Sequence, residues 1–156
     1  MSKARSRLSA TTAGTYALFC GGHDTSVYGY DRVDAYNTSL TRTTAPITSI
    51  AHSNFASTSL GEYALFGGGR DASNGMHAVV DVYDKSLTLT TTESLSVVRE
   101  SFAAVSIGNF ALFGGGYNSS TGYQNAVDAY TYERPTITIN LVVLKTVGNT
   151  LYTTQY

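Results

Sequence analysis

The chain has 156 residues, with 10 Lys and Arg against 11 Asp and Glu, a formal net charge of −1 that gives no basic footprint for nucleic acid or an anionic membrane. Charged residues make up only 13%, and Tyr, Thr, Ser and Gly carry the polarity, which suits pleated strands joined by tight turns. No apolar run approaches the roughly 18 residues a spanning helix needs, and residues 1–10 are basic without an apolar stretch, so we expect no signal peptide and a soluble chain, cytoplasmic by default.

One stretch recurs and sets the organisation. Ala-Leu-Phe-Gly-Gly-Gly occupies residues 64–69 and 111–116, and residues 17–22 carry the same run with Cys20 in the first Gly slot. Each copy starts 47 residues after the last, and Val-Asp-Ala/Val-Tyr keeps that step at residues 33–36, 80–83 and 127–130. A unit of this size cannot bury its own faces and must stack on neighbours.

In chain order, each unit predicts four strands. The first is small-residue-rich, at 8–13, 55–60 and 102–107, and a turn at Gly14, Gly61 or Gly108 follows it. The second spans 16–20, 63–66 and 110–113 and is apolar on both faces, as a strand inside a stack requires. Ten-residue segments of unlike content come next, at 23–32, 70–79 and 117–126. The third strand, Val-Asp-Ala/Val-Tyr, alternates with period two. Turns at 37–39 and 84–86 lead to Thr-rich fourth strands at 40–44 and 87–92. In the third unit Pro135 delays the fourth strand to 136–141. Residues 146–152 echo 106–112, which predicts the first hairpin of a fourth unit. The expected units are therefore 5–51, 52–98, 99–142 and a C-terminal hairpin at 143–156, in an all-β chain without sustained helical periodicity.

The chemistry is sparse. Gly-Gly-Gly belongs to no phosphate-binding pattern, having neither the Lys-Ser/Thr ending nor a following helix. His23, His52 and His77 lack metal-ligand spacing and read as loop or surface residues, and Asp71 to Gly75 has the wrong acidic spacing for a calcium loop. No nucleophile constellation is present, and no metal or cofactor is expected. Cys20, the single cysteine, reads as a buried filler of its Gly slot. Equal length with unlike chemistry in the ten-residue segments is what a scaffold with binding loops shows, although drift in exposed loops gives the same pattern. The ligand candidates there are His23, Asp24, Tyr28, Tyr30, Arg70, Asp71, His77, Tyr117, Asn118, Tyr123 and Gln124. A second set at the repeat step, Arg5, His52 and Arg99, precedes each first strand.

Four short strands, a period near 50 residues, a Gly pair ending the second strand and a Tyr closing the third together resemble the kelch repeat. The pairs are Gly21-Gly22, Gly67-Gly68 and Gly114-Gly115, and the tyrosines are Tyr36, Tyr83 and Tyr130. The family's fourth-strand Trp has no counterpart, since the chain contains no Trp, so the resemblance is to a divergent kelch-like repeat, bacterial or phage-associated. It implies the blades of a β-propeller, with Arg5, His52 and Arg99 around the channel mouth. About three and a half blades leave unpaired edges, which invite a second chain. The start at Met1 and the altered tail lead us to expect a whole small protein that closes its ring as a homodimer. The leading functional expectation is a non-catalytic module offering its loops to a protein or glycan. The alternatives are an enzyme with its site in the channel and a structural part of a phage or surface assembly.

Overall fold

Each 47-residue step folds as one antiparallel sheet whose strands neighbour one another in chain order. The computed structural model describes residues 1–133, 140–147 and 150–153, with side chains described up to residue 132. The first sheet is β1 (Ser9–Ala13), β2 (Tyr16–Cys20), β3 (Val33–Tyr36) and β4 (Arg42–Thr44). The second is β5 (Ala56–Leu60), β6 (Tyr63–Gly67), β7 (Val80–Tyr83) and β8 (Leu89–Thr92). The third begins with β9 (Ala103–Ile107) and β10 (Phe110–Gly114), and its loop carries the short hairpin β11 (Tyr117–Asn118) and β12 (Gly122–Tyr123). It continues with β13 (Val127–Glu133), β14 (Asn140–Val147) and β15 (Thr150–Thr153). Among the described residues there is no helix, and so none long and apolar enough to cross a membrane.

The third strands show how pattern becomes packing. In β7, Val80 and Val82 point to one face of the sheet, and Asp81 and Tyr83 to the other. All four are buried, because a neighbouring sheet covers each face. Between the first and second sheets, Ala13, Leu18, Cys20, Val33 and Ala35 meet Phe55, Ala64, Phe66 and Tyr83. Between the second and third, Ala56, Leu60, Leu65, Val80 and Val82 meet Ala111, Phe113 and Tyr130. Each junction thus sets an aliphatic face of one sheet against an aromatic face of the next. Within every sheet a second-strand Phe meets the third-strand Tyr edge-on, at 5.8 Å for Phe19 and Tyr36, 5.9 Å for Phe66 and Tyr83, and 5.6 Å for Phe113 and Tyr130. Such edge-to-face pairs add roughly 0.5–1.5 kcal/mol beyond the area they bury.

The structure moves the glycine pair. The left-handed residues are Gly21 and Gly22 (φ 60° and 95°), Gly68 and Gly69 (68° and 95°), and Gly115 and Gly116 (76° and 103°). Gly67 and Gly114, paired with Gly68 and Gly115 in the sequence reading, close β6 and β10 as ordinary strand residues, equivalent to Cys20. A Cβ on Gly68 would lie 2.7 Å from the Phe102 ring and 2.8 Å from the Arg99 carbonyl of the next sheet. This is the position that only Gly can hold.

Two further differences concern the fourth strands. Asn37 and Asp84 each accept two backbone amides through Oδ1, from Ser39 and Thr41 and from Ser86 and Thr88, and so turn the chain after β3 and β7. Thr131 stands at this position in the third unit, and β13 runs on to Glu133. The strand expected at 136–141 lies partly outside the described residues, and the described fourth strand is β14, paired with β13. Of the hairpin expected at 143–156, residues 148–149 and 154–156 lie outside the described residues; β15 pairs with β14 and β14 with β13, so both strands extend the third sheet.

Replacing Gly68 by Ala adds a left-handed strain of about 1–2 kcal/mol and a clash worth a further 1–3 kcal/mol or so. Gly122→Ala, at φ 79° with nothing within 4 Å, adds only the strain. Urea unfolding of the two variants is expected to show the first as the more destabilised. Equal losses would contradict the packing role of Gly68.

Candidate functional site

The ten-residue segments leave the same end of each sheet, directly after a left-handed glycine pair. Each is fastened at its start by a reciprocal backbone bridge: Ser6 with His23, Ser53 with Arg70, and Glu100 with Tyr117, at 2.8–3.0 Å. The next residue is the staple. Asp24 Oδ1 accepts the amides of Ser26 and Val27, Asp71 Oδ1 those of Ser73 and Gly75, and Asn118 Oδ1 those of Ser120 and Thr121. Six residues further on, Tyr30 donates to Asp24 Oδ2 and His77 Nε2 contacts Asp71 Oδ2, while Gln124 donates to Thr121 and to the Gly122 carbonyl. Lys3, which the sequence reading missed, adds an ion pair to Asp24 at 3.0 Å and lies over the Tyr30 ring. Lys3 and the loop amides hold the Asp24 carboxyl far below its ordinary value, and His77 with the amides of Gly75 and Ser73 depresses that of Asp71.

Six of the eleven candidate loop residues therefore hold the loops in shape: Asp24, Tyr30, Asp71, His77, Asn118 and Gln124. They fall at the 47-residue step as Asp24, Asp71 and Asn118, and as Tyr30, His77 and Gln124, a signal present in the sequence. Arg70 is also engaged, with Glu100 of the next unit and with Asn74. What remains outward is aromatic: Tyr28 (53% exposed), Tyr117 and Tyr123 (92%). Tyr28 lies against His23, with ring centroids 5.3 Å apart, and Tyr117 meets Tyr123 edge-on at 5.7 Å. Beside the first loop, Arg5, Ser6, His23, Asp24, Thr25 and Tyr28 line an open cleft of about 440 Å³.

The Arg5, His52 and Arg99 side chains are buried. The Arg5 and Arg99 side chains are fully buried; Arg5 pairs with Asp34 and Arg99 with Asp128, each at 2.9 Å, and each donates to a second-strand carbonyl, Phe19 or Phe113, at 3.0 Å. The same carboxylates take a backbone amide from Ser2 and Ser96, and Asp81 takes the amide and hydroxyl of Ser49, again at the 47-residue step. Burial alone would raise Asp34, but Ser2, Arg5 and Arg42 together hold it below its ordinary value.

The middle unit differs. His52 replaces the Arg, stacks on Phe55 at 3.9 Å and contacts the Gly68 carbonyl at 2.9 Å through Nδ1. A carbonyl can only accept, so Nδ1 carries the proton. Burial lowers the His52 pKa to about 4, so the ring is neutral at pH 7 and not the surface histidine expected from the sequence. Asp81, without a guanidinium, is raised by its burial. Burial also pushes the Cys20 thiol well up, which keeps it protonated and inert. Among the described residues no three His, Cys, Asp or Glu side chains converge as a metal site would require.

No protein-family model matches the sequence, and no curated protein matches it significantly. The fold is similar to that in the solved structure of YjhT, with a TM-score of 0.72 at 12% identity over 88% of this chain. The chain spans 45% of the length of YjhT, and at that identity the likeness concerns fold alone.

His52 gives a signed pH dependence. Its folded pKa of about 4 lies below the ordinary 6.5, so its contribution to stability is complete above 6.5 and is lost as pH falls towards 4. Relative to His52→Gln, the wild type is expected to lose about 2–4 kcal/mol between pH 7 and pH 4. Chemical unfolding across that range measures it, and a difference that stays flat would contradict a buried neutral ring.

Proposed function

We propose that the chain is a non-catalytic binding module, a kelch-like half-propeller that works with a second copy and presents its loops to a protein or glycan. Three stacked antiparallel sheets and a fold similar to that of YjhT support the propeller reading. The observation that carries the functional reading is the division of labour in the loops. Staples at Asp24, Asp71 and Asn118 fix the backbone from within, and Tyr28, Tyr117 and Tyr123 project from it. A tyrosine on a preorganised loop loses little entropy on binding and offers an apolar face with a polar tip, the combination that stacks on sugar rings and anchors protein contacts. The buried, internally paired Arg5 and Arg99 side chains leave the loops, not the interior, as the surface for recognition.

A glycan array followed by titration of the hits tests this reading. Combined Tyr28→Ala, Tyr117→Ala and Tyr123→Ala changes touch exposed side chains, so the fold should survive while affinity falls at least tenfold. If the triple variant binds every ligand as the wild type does, the loop assignment is wrong.

A further inference from the structure

The two terminal faces of the stack differ from each other, and each resembles one half of a junction the chain already makes twice. The face of the third sheet turned away from the second exposes Val105 (59%), Ile107 (64%) and Phe110. Its equivalents in the second sheet, Thr58, Leu60 (1%) and Tyr63, are buried or half-buried against the third. At the other end, Leu8, Phe19 and Tyr36 are only half-buried, whereas their equivalents Phe55, Phe66 and Tyr83 are buried against the first sheet. Tyr83 and Tyr130 donate to the Pro46 and Glu93 carbonyls of the preceding unit, and Tyr36 has no such acceptor among the described residues.

We propose that these two faces are the halves of one junction, and that a second copy of this chain fills both of them head to tail. The proposal rests on the propeller reading and specifies its partner and register. Gly21 and Gly68 each seat a Phe of the following sheet, Phe55 or Phe102, whereas a Cβ on Gly115 would meet nothing nearer than 3.9 Å. The residue that continues the series is Leu8 of the second copy. Gly14 and Gly61 are covered by Lys85 and Tyr132, while Gly108 has nothing within 4 Å, and the residue in series is Thr38. Gly22 and Gly69 donate their amides to the His52 and Arg99 carbonyls at 2.9 Å, which assigns the Gly116 amide to the Arg5 carbonyl of the second copy.

These seats have polarity. An aliphatic face with left-handed glycines receives an aromatic face, and neither face completes a like copy of itself. The contact is therefore heterologous, and it must close or it grows into a filament. Two copies of three sheets make six, within the roughly 4–8 blades at which propellers close, whereas three copies exceed that range.

Within one chain, Ser9 Oγ of the first sheet lies 2.6 Å from Ser57 Oγ of the second. The equivalent pair across the proposed junction is Ala103 of one copy and Ala10 of the other, both exposed. An Ala10→Cys, Ala103→Cys variant in a glutathione redox buffer is expected to give a disulfide-linked species of two-chain mass on a non-reducing gel, with neither single variant linking. Linking by Ala103→Cys alone would mean that like faces meet, and no linking would mean that the faces do not meet; either overturns the proposal. A ladder above two chains overturns the two-copy ring. None of these results touches the loop-binding reading, which stands or falls on the tyrosine variants. As a second readout, Ile107→Glu alters an exposed side chain and is expected to halve the mass measured by light scattering at micromolar concentration. A wild-type mass already equal to one chain would also overturn the proposal.

Discussion

The constraint on which the rest of the structure depends is the approach of one sheet's glycine backbone to the chain that enters the next sheet. Gly22 and Gly69 each donate an amide across the junction at 2.9 Å. At Gly21 and Gly68 the ring of the following Phe occupies the volume a side chain would need. Any Cβ there forces the sheets apart, and with them the aromatic residues that fill the junction. Because the contact also ends the second strand, it determines where each variable loop begins. Packing and loop display are consequences of the same backbone geometry.

Beneath the loops, each sheet buries a polar group that the apolar junctions alone would not tolerate. In the outer two units an Arg pairs with an Asp and also donates to a second-strand carbonyl. Such a pair contributes little net stability, but losing one partner leaves a charge buried and costs about 3–5 kcal/mol. The middle unit avoids that liability on one side only. His52 is neutral and bonded to the Gly68 carbonyl, while Asp81 relies on Ser49 alone. The His that stands in the Arg position of this unit therefore also makes its stability depend on pH.

Much of this was legible from the 47-residue step. The second and third strands were placed within a residue, apart from the extended β13, because apolar runs and strict alternation leave little freedom of register. The glycine pair was read one residue early in the second and third units, where Gly67 and Gly114 hide the boundary; stepping 47 residues on from Gly21 and Gly22 marks the correct pair. The step also picked out Arg5, His52 and Arg99, but not their burial, since that depends on Asp34 and Asp128 arriving on another strand about 29 residues later. In the loops, residue type suggested ligand contacts for Asp24, Asp71 and Asn118, whereas their use is internal. Short polar side chains bond to nearby amides in a turn as readily as to a ligand. Tyr28, Tyr117 and Tyr123, whose side chains no turn consumes, are exposed.

The central claim is that the glycine contact joins successive sheets within a chain and also joins one copy to the next. Amide hydrogen exchange at Gly22, Gly69 and Gly116 tests it most directly. The account predicts that Gly116 is protected to the same order as the other two at micromolar concentration and loses that protection on dilution, while Gly22 and Gly69 keep theirs. A Gly116 amide that exchanges freely at every concentration, beside protected Gly22 and Gly69, would contradict it.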